Sequence, residues 1–248
     1  MWLSVTSEMS KMDMDNTIMH NKIIRFIIII PLVWTITNCS NDKEKTQSQQ
    51  KLIKDTNESY LAKRLPKHDK RYKTFLKSMK LMKQRKSKIL VETGTARYGD
   101  KNCRGDGCST VIFGEWARDN DATFYSVDID AEAIKSAKDA VLPLNNDVVF
   151  ITSDSVAFLK NYYKYNNKID FLYLDSFDFD PKNPWPSENH HLKEIKAAYR
   201  YLHRKSIVMV DDTFGRRGGK GRLVIKYLLG KGWKIAVSAY QLILVPKE

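Results

Sequence analysis

From residue 88 onward, short apolar runs alternate with stretches in which apolar residues recur every three or four positions. The runs KILVETG (88–94), ATFYSVDI (122–129), DVVFITSD (147–154), KIDFLYLD (168–175) and SIVMVDD (206–212) have the length and continuous apolar character of strands buried on both faces. The periodic stretches 109–119, 131–141, 155–165, 187–204 and 221–231 read as helices between and after them. WKIAVSAY and QLILVPK (233–247) follow as two strands with almost no link, and so short a connection joins only antiparallel neighbours. The pattern predicts an α/β fold, a doubly wound seven-stranded mostly parallel sheet with the last strand antiparallel. Ser109 and Ser187 are candidate N-caps. Leu192, Ile195, Tyr199 and Leu202 form a predicted buried stripe, with His191 at its edge and His190 facing solvent.

Ligands of such sheets bind beyond the carboxyl ends of the strands, and those ends are acidic. Glu92 and Gly94 end the first strand, Asp128 and Asp130 the second, Asp154 the third, Asp175 the fourth, and Asp211 with Asp212 the fifth. A row of carboxylates costs solvation and self-repulsion unless something compensates it. Helix capping accounts for Asp130 or Asp154 singly, but a site accounts better for the row. The loop after the first strand is rich in glycine, as nucleotide-cradling turns are. GTARYG (94–99) nevertheless lacks the second glycine of G-x-G-x-x-G, which argues against a nicotinamide dinucleotide.

E-x-G at the end of strand one, acids after strands two and three, and the reversed last strand together resemble the class I S-adenosylmethionine-dependent methyltransferases, over residues 88–248. VETGTAR, GDGCST and YSVDID look like the small-molecule and sugar O-methyltransferase families within that class. The resemblance implies a Rossmann-like methyltransferase fold with S-adenosylmethionine as cofactor. Glu92, Gly94 and Thr95 would form its first turn, Asp128 would accept the ribose hydroxyls, and Asp154 the adenine amino group. LYLDSFDFD and VMVDDTF resemble the metal-binding ends of strands four and five in catechol-type and macrolide-sugar O-methyltransferases. On that likeness Asp175, Asp211 and Asp212 would hold Mg²⁺, which suits three hard oxygen ligands. The alternative is that Asp211 or Asp212 caps or pairs with Arg216, Arg217 or Lys220.

DPKNPWPSENHHLKEI (180–195) carries three prolines and Trp185, a stiff loop and candidate substrate lid ahead of the next helix. A histidine in a helix's first turn is biased toward neutral, which suits a base. His191 is the candidate general base, with Asp175 as the second catalytic residue; plain packing or capping is the competing role for either histidine. GRRGGKGR (215–222) reads either as an anion-binding turn or as a flexible basic loop.

The net charge of +13 is concentrated upstream: residues 1–87 hold 18 Lys+Arg against 8 Asp+Glu, and residues 88–248 hold 24 against 21. Residues 62–87 form a basic helical arm, read either as a contact for anionic lipid or nucleic acid or as a solvated helix turning Phe75, Met79 and Met82 inward. No nucleic-acid motif accompanies the charge, so a nucleic-acid partner is disfavoured. Residues 1–39 read as a signal or anchor segment, with Lys22 and Arg25 before an apolar run from Phe26 to Ile36. Ile36 to Cys39 resembles the lipobox of bacterial lipoproteins, and residues 40–61 read as a polar tether. Met19 would open this segment, leaving 1–18 as an upstream extension.

These features predict a membrane-associated enzyme acting on a small-molecule or glycan acceptor, on the cytosolic face if S-adenosylmethionine is used. The rival is a non-catalytic, membrane-tethered binding module on the same fold, which a Cys103–Cys108 disulfide would favour.

Overall fold

A computed structural model describes residues 57–145, 147–166, 168–214 and 218–247. The apolar run 26–36, Cys39 and most of the 40–61 tether lie outside them. The tether's last residues do not: 57–62 are helical, and Tyr60, Leu61 and Leu65 are buried in the core.

Seven strands form one sheet: β1 (Ile89–Thr93), β2 (Thr123–Asp128), β3 (Val148–Thr152), β4 (Ile169–Leu174), β5 (Leu202–Val210), β6 (Trp233–Ser238) and β7 (Leu242–Pro246), in the order β3-β2-β1-β4-β5-β7-β6. β7 runs antiparallel to both β5 and β6, and the remaining pairs are parallel. The alternation therefore gives the predicted sheet, its last strand reversed.

Residues of opposite parity are apolar on both faces, as a doubly covered sheet requires. Leu90, Phe171, Tyr173, Ile207 and Met209 face one layer, formed by helices α1 (Tyr72–Arg85) and α2 (Ser109–Asp119) with the end of α3 (Ala131–Val141). Val91, Leu172, Leu174, Val208 and Val210 face the other, formed by α4 (Ser155–Lys160), α5 (Trp185–Ala198) and α6 (Arg222–Gly230). The basic arm thus contributes a packed helix. Phe75, Met79 and Met82 have no exposed surface, and Lys73, Lys77 and Lys80 line its outer side.

Several boundaries differ from the sequence pattern, and the helix expected over 155–165 is α-helical only to Lys160. The helix expected over 187–204 starts earlier, at Trp185, with Pro186 in its first turn, where a missing N–H costs nothing. Ser187 is consequently inside the helix and caps nothing. The helix ends at Ala198, and β5 begins at Leu202, opposite Ile169. Ser206 explains the early strand: its hydroxyl donates to the Ile169 carbonyl (2.6 Å) and accepts from the His203 N–H (2.8 Å), bridging the irregularity in β4–β5 pairing.

Phe113 of α2 is the hub of the first layer, with edge-to-face contacts to Phe75 (5.4 Å), Phe171 (4.9 Å) and Tyr173 (5.7 Å). It ties arm, helix and sheet together. Phe113→Ala should lower unfolding free energy by about 3–5 kcal/mol in denaturant titration; a loss under about 1 kcal/mol would mean that the arm does not share this core.

Candidate functional site

The sheet changes winding direction between β1 and β4, and a cleft of about 310 Å³ opens at their carboxyl ends. Its lining includes Arg97 from the loop after β1, Asp128 and Asp130 from the end of β2, and Ser176, Phe177 and Asp178 from the loop after β4.

The turn after β1 is fixed by close approach. Gly94 has φ +83°, and a Cβ there would stand 2.4 Å from the Asp175 carbonyl oxygen, so only glycine fits. The Thr95 N–H donates to Asp128 Oδ2 (2.9 Å), and the Asp130 N–H donates to Asp128 Oδ1 (2.9 Å). Asp128 therefore fastens the first two loops while lining the cleft. Asp130 and Asp154 are helix caps: Asp130 accepts from Glu132 N–H (2.8 Å) and Asp154 from Ala157 N–H (2.7 Å). Asp154 is exposed and does not line the cleft.

Glu92 has no exposed surface and no cationic partner among its hydrogen bonds. It accepts from the hydroxyls of Ser109, Thr110 (2.6 Å) and Ser126 (2.9 Å). The Thr110 hydroxyl oxygen also accepts from the Ala96 N–H (2.7 Å), so Glu92 pins the start of α2 and the Gly94 turn together. Ser109 thus serves Glu92 rather than capping its helix; the N-cap is Cys108, in the left-handed region at φ 51° and bonded to Cys103.

Burial pushes the Glu92 carboxyl up to about 7, against the pull of its three hydroxyl donors. The folded state therefore holds its proton to higher pH than the unfolded chain does. This group's contribution to stability is full below about pH 4.5 and is lost as pH rises through 7, a fall of about 3 kcal/mol. Glu92→Gln should remove that slope: the variant-minus-native difference in unfolding free energy should grow in the variant's favour between pH 4.5 and 7.5. A constant difference would refute the shift.

Asp175, Asp211 and Asp212 do converge, their carboxylate oxygens lying within 4.8 Å of one another. Two cations meet them. The Lys220 ammonium contacts Asp175 and lies 3.3 Å from Asp212 Oδ2, and the Lys220 side chain is 1% exposed. Burial alone would lower the Lys220 pKa, but the three carboxylates outweigh it and hold the group charged. Arg71, from the segment before α1, places Nε 3.7 Å from Asp211 Oδ2 and donates from Nη2 to the Gly105 carbonyl (3.2 Å). Tyr240 donates to Asp212 and lies under the Arg71 guanidinium, 4.8 Å from its ring centre.

The donor set is right for Mg²⁺, but the space is not. At the ~2.1 Å that Mg²⁺ requires, an ion bridging Asp175 and Asp212 would occupy the place of the Lys220 ammonium. The residues as folded do not fit a divalent ion, and GRRGGKGR is resolved in part by the same contacts: Lys220 is buried in the cluster and Arg222 pairs with Glu188 (Nε to Oε1, 2.7 Å).

The buried face of α5 differs from the predicted stripe. It consists of Ser187, Glu188, His191, Glu194, Ile195 and Ala198, so its first half is polar. His190 is not turned to solvent: its Nε2 lies 3.0 Å from the Ser155 hydroxyl and 3.6 Å from Glu194 Oε1. His191 has no exposed surface, and its Nδ1–H donates to the Ser187 carbonyl (2.7 Å). Burial lowers its pKa to about 4, so it is neutral, and it does not line the cleft. Glu194 is also fully buried and accepts from the Ser176 hydroxyl (2.7 Å).

Arg71, Glu188 and Glu194 are the site residues that the sequence pattern missed, whereas Lys220 pairs with Asp212 as the alternative reading of that cluster expected. For α5 a signal existed: 188, 191, 194/195 and 198 fall on one helical face.

No protein-family model matches the sequence, and no curated protein matches it either. Solved structures do match its fold. The SAH-bound methyltransferase PaMTH1 of Podospora anserina aligns over 90% of this chain and 100% of its own, with a TM-score of 0.51 and 14% identity. CalS11, a calicheamicin methyltransferase, aligns over 84% and 93%, at 0.51 and 17%. MycE, a methyltransferase of the mycinamycin biosynthetic pathway in complex with Mg and SAH, aligns over 79% and 54%, at 0.54 and 11%. The chain has the Rossmann-like fold of these methyltransferases.

Gly94→Ala should disrupt the cleft without unfolding the protein, because its Cβ meets backbone at one turn only. The expected result is a far-ultraviolet spectrum like the native one, with amide exchange accelerated in residues 94–97 and 175–178. Unchanged exchange there would refute the close approach.

Proposed function

We propose that the chain is an S-adenosylmethionine-dependent methyltransferase that methylates a hydroxyl of a small acceptor, such as a sugar or glycolipid. The observation that carries the reading is the cleft at the switch point, lined by Asp128 beside a turn that only glycine can make. A carboxylate at this position suits a ribose diol, and the bare backbone at Gly94 suits a cofactor lying against it. The SAH bound to PaMTH1 and MycE, on the same fold, supports the choice.

When bound, the cofactor supplies an electrophilic methyl group on a sulfonium sulfur. Asp128 would hold the ribose and the Gly94–Thr95 turn the methionine part, while Asp154, outside the cleft lining, is left as a helix cap. Glu92 acts from behind, by holding the turn. Arg97 and Asp178 form a two-pronged pair (2.7 and 3.1 Å) between the loops after β1 and β4, placed to control entry. Asp175 is the group that would take the acceptor hydroxyl's proton, with Lys220 balancing charge on the oxygen. The base expected at His191 moves to Asp175 in this reading because His191 is sealed off. Mg²⁺ has no part in it.

The exposed lysines of α1 suit an anionic membrane surface, and we place the protein there, on the cytosolic face where the methyl donor is made. One observation favours the rival, a tethered exported module: Cys103 and Cys108 are joined as a disulfide.

Calorimetric titration of S-adenosylmethionine into the full chain tests the reading. Binding should be micromolar, and Asp128→Asn should weaken it at least about tenfold, or ~1.4 kcal/mol. No binding by folded protein would overturn the enzyme and leave the module.

A further inference from the structure

We infer that Lys220 is the resident cation of the acidic cluster, doing there the charge-balancing that a divalent ion would do, so that the cluster of Asp175, Asp211 and Asp212 takes no metal. The inference goes beyond methyl transfer and does not depend on it.

The position of the lysine is built by the backbone. Gly219 has φ +49°, and a Cβ on it would stand 1.7 Å from the Asp212 carbonyl oxygen. That carbonyl accepts from the Lys220 N–H (3.1 Å). Gly221 is close as well, its Cβ falling 2.7 Å from the Thr213 side-chain methyl. Gly219, which cannot carry a side chain, thus presses Lys220 onto the strand end that bears two of the three carboxylates. A flexible surface lysine needs no such seat.

The charge count points the same way. Among the described residues the three carboxylates, all ionised, bring −3; Lys220 and Arg71 return +2, leaving −1. An added divalent ion would turn this into a net positive site with like charges in contact, at a depth where repulsion is poorly screened. Without Lys220 the same three carboxylates keep only Arg71 as a partner, a net −2 that suits a divalent cation. Asp211 Oδ1 has no hydrogen-bond partner, so a ligand atom is already free there. A hydroxyl brought beside Asp175 therefore meets an ammonium, and any activity of this site proceeds without a metal.

The test is divalent-ion binding to the full chain and to Lys220→Met, by Mn²⁺ titration and by thermal unfolding in Mg²⁺ or chelator. The native protein should bind no Mn²⁺ stoichiometrically at micromolar levels and should melt at the same temperature in both buffers. Lys220→Met should melt lower in chelator and regain about 5–10 °C in millimolar Mg²⁺, with one Mn²⁺ bound. If it does not fold in either buffer, Lys220→Met combined with Asp212→Asn, which keeps an oxygen while removing a charge, should show the same gain. Stoichiometric Mn²⁺ binding by the native protein would overturn the inference. So would a folded lysine-free variant that binds none. Because neither readout uses S-adenosylmethionine, a failed methyl-transfer reading and a failed lysine reading give different results.

Discussion

Buried carboxylates need partners, and at the carboxyl edge of this sheet that requirement organises the surroundings. Glu92 is given three hydroxyls, and through them the start of α2 and the Gly94 turn acquire fixed positions. Glu194 is given Ser176 and His190, which draws α5 against the loop after β4. Asp175 and Asp212 are given Lys220, which dictates the path of the chain after β5. An acid left unpaired at such depth would cost several kcal/mol, so each of these loops follows its carboxylate.

The sheet was legible because its strands are apolar on both faces and its helices keep a 3.6 period, both direct outcomes of double burial. The strand-end acids were legible for a related reason, since they interrupt otherwise apolar runs. Their partners were legible only in part. Lys220 was one of three candidate partners in a stretch that reads as a basic loop, whereas Arg71 lies in one that reads as a basic arm, and only the fold brings it to the edge. The α5 stripe was incomplete: Ile195 is buried and Leu192, Tyr199 and Leu202 pack against the core, but Glu188, His191 and Glu194 are buried too, through hydrogen bonds and ion pairs. Periodicity finds a face, but not the chemistry that allows it to be buried.

Two features of the β1–α2 connection bear on the compartment of the protein. Its disulfide closes the loop directly before Ser109, and Ser109 and Thr110 anchor Glu92. The Gly94 turn and the bonded cysteines are therefore neighbours in one short segment, although supply of the proposed methyl donor and stable disulfides belong to different cellular environments.

Arg71 precedes α1, yet its guanidinium lies in the acidic cluster at the far end of the sheet from the arm's own C-terminus. Cutting the chain at residue 88, where the strand–helix alternation begins, would keep every strand and discard one of the two positive charges that the described residues bring to the cluster. The boundary drawn by repeating architecture and the boundary drawn by electrostatic neutrality are different lines, and the second runs through the arm.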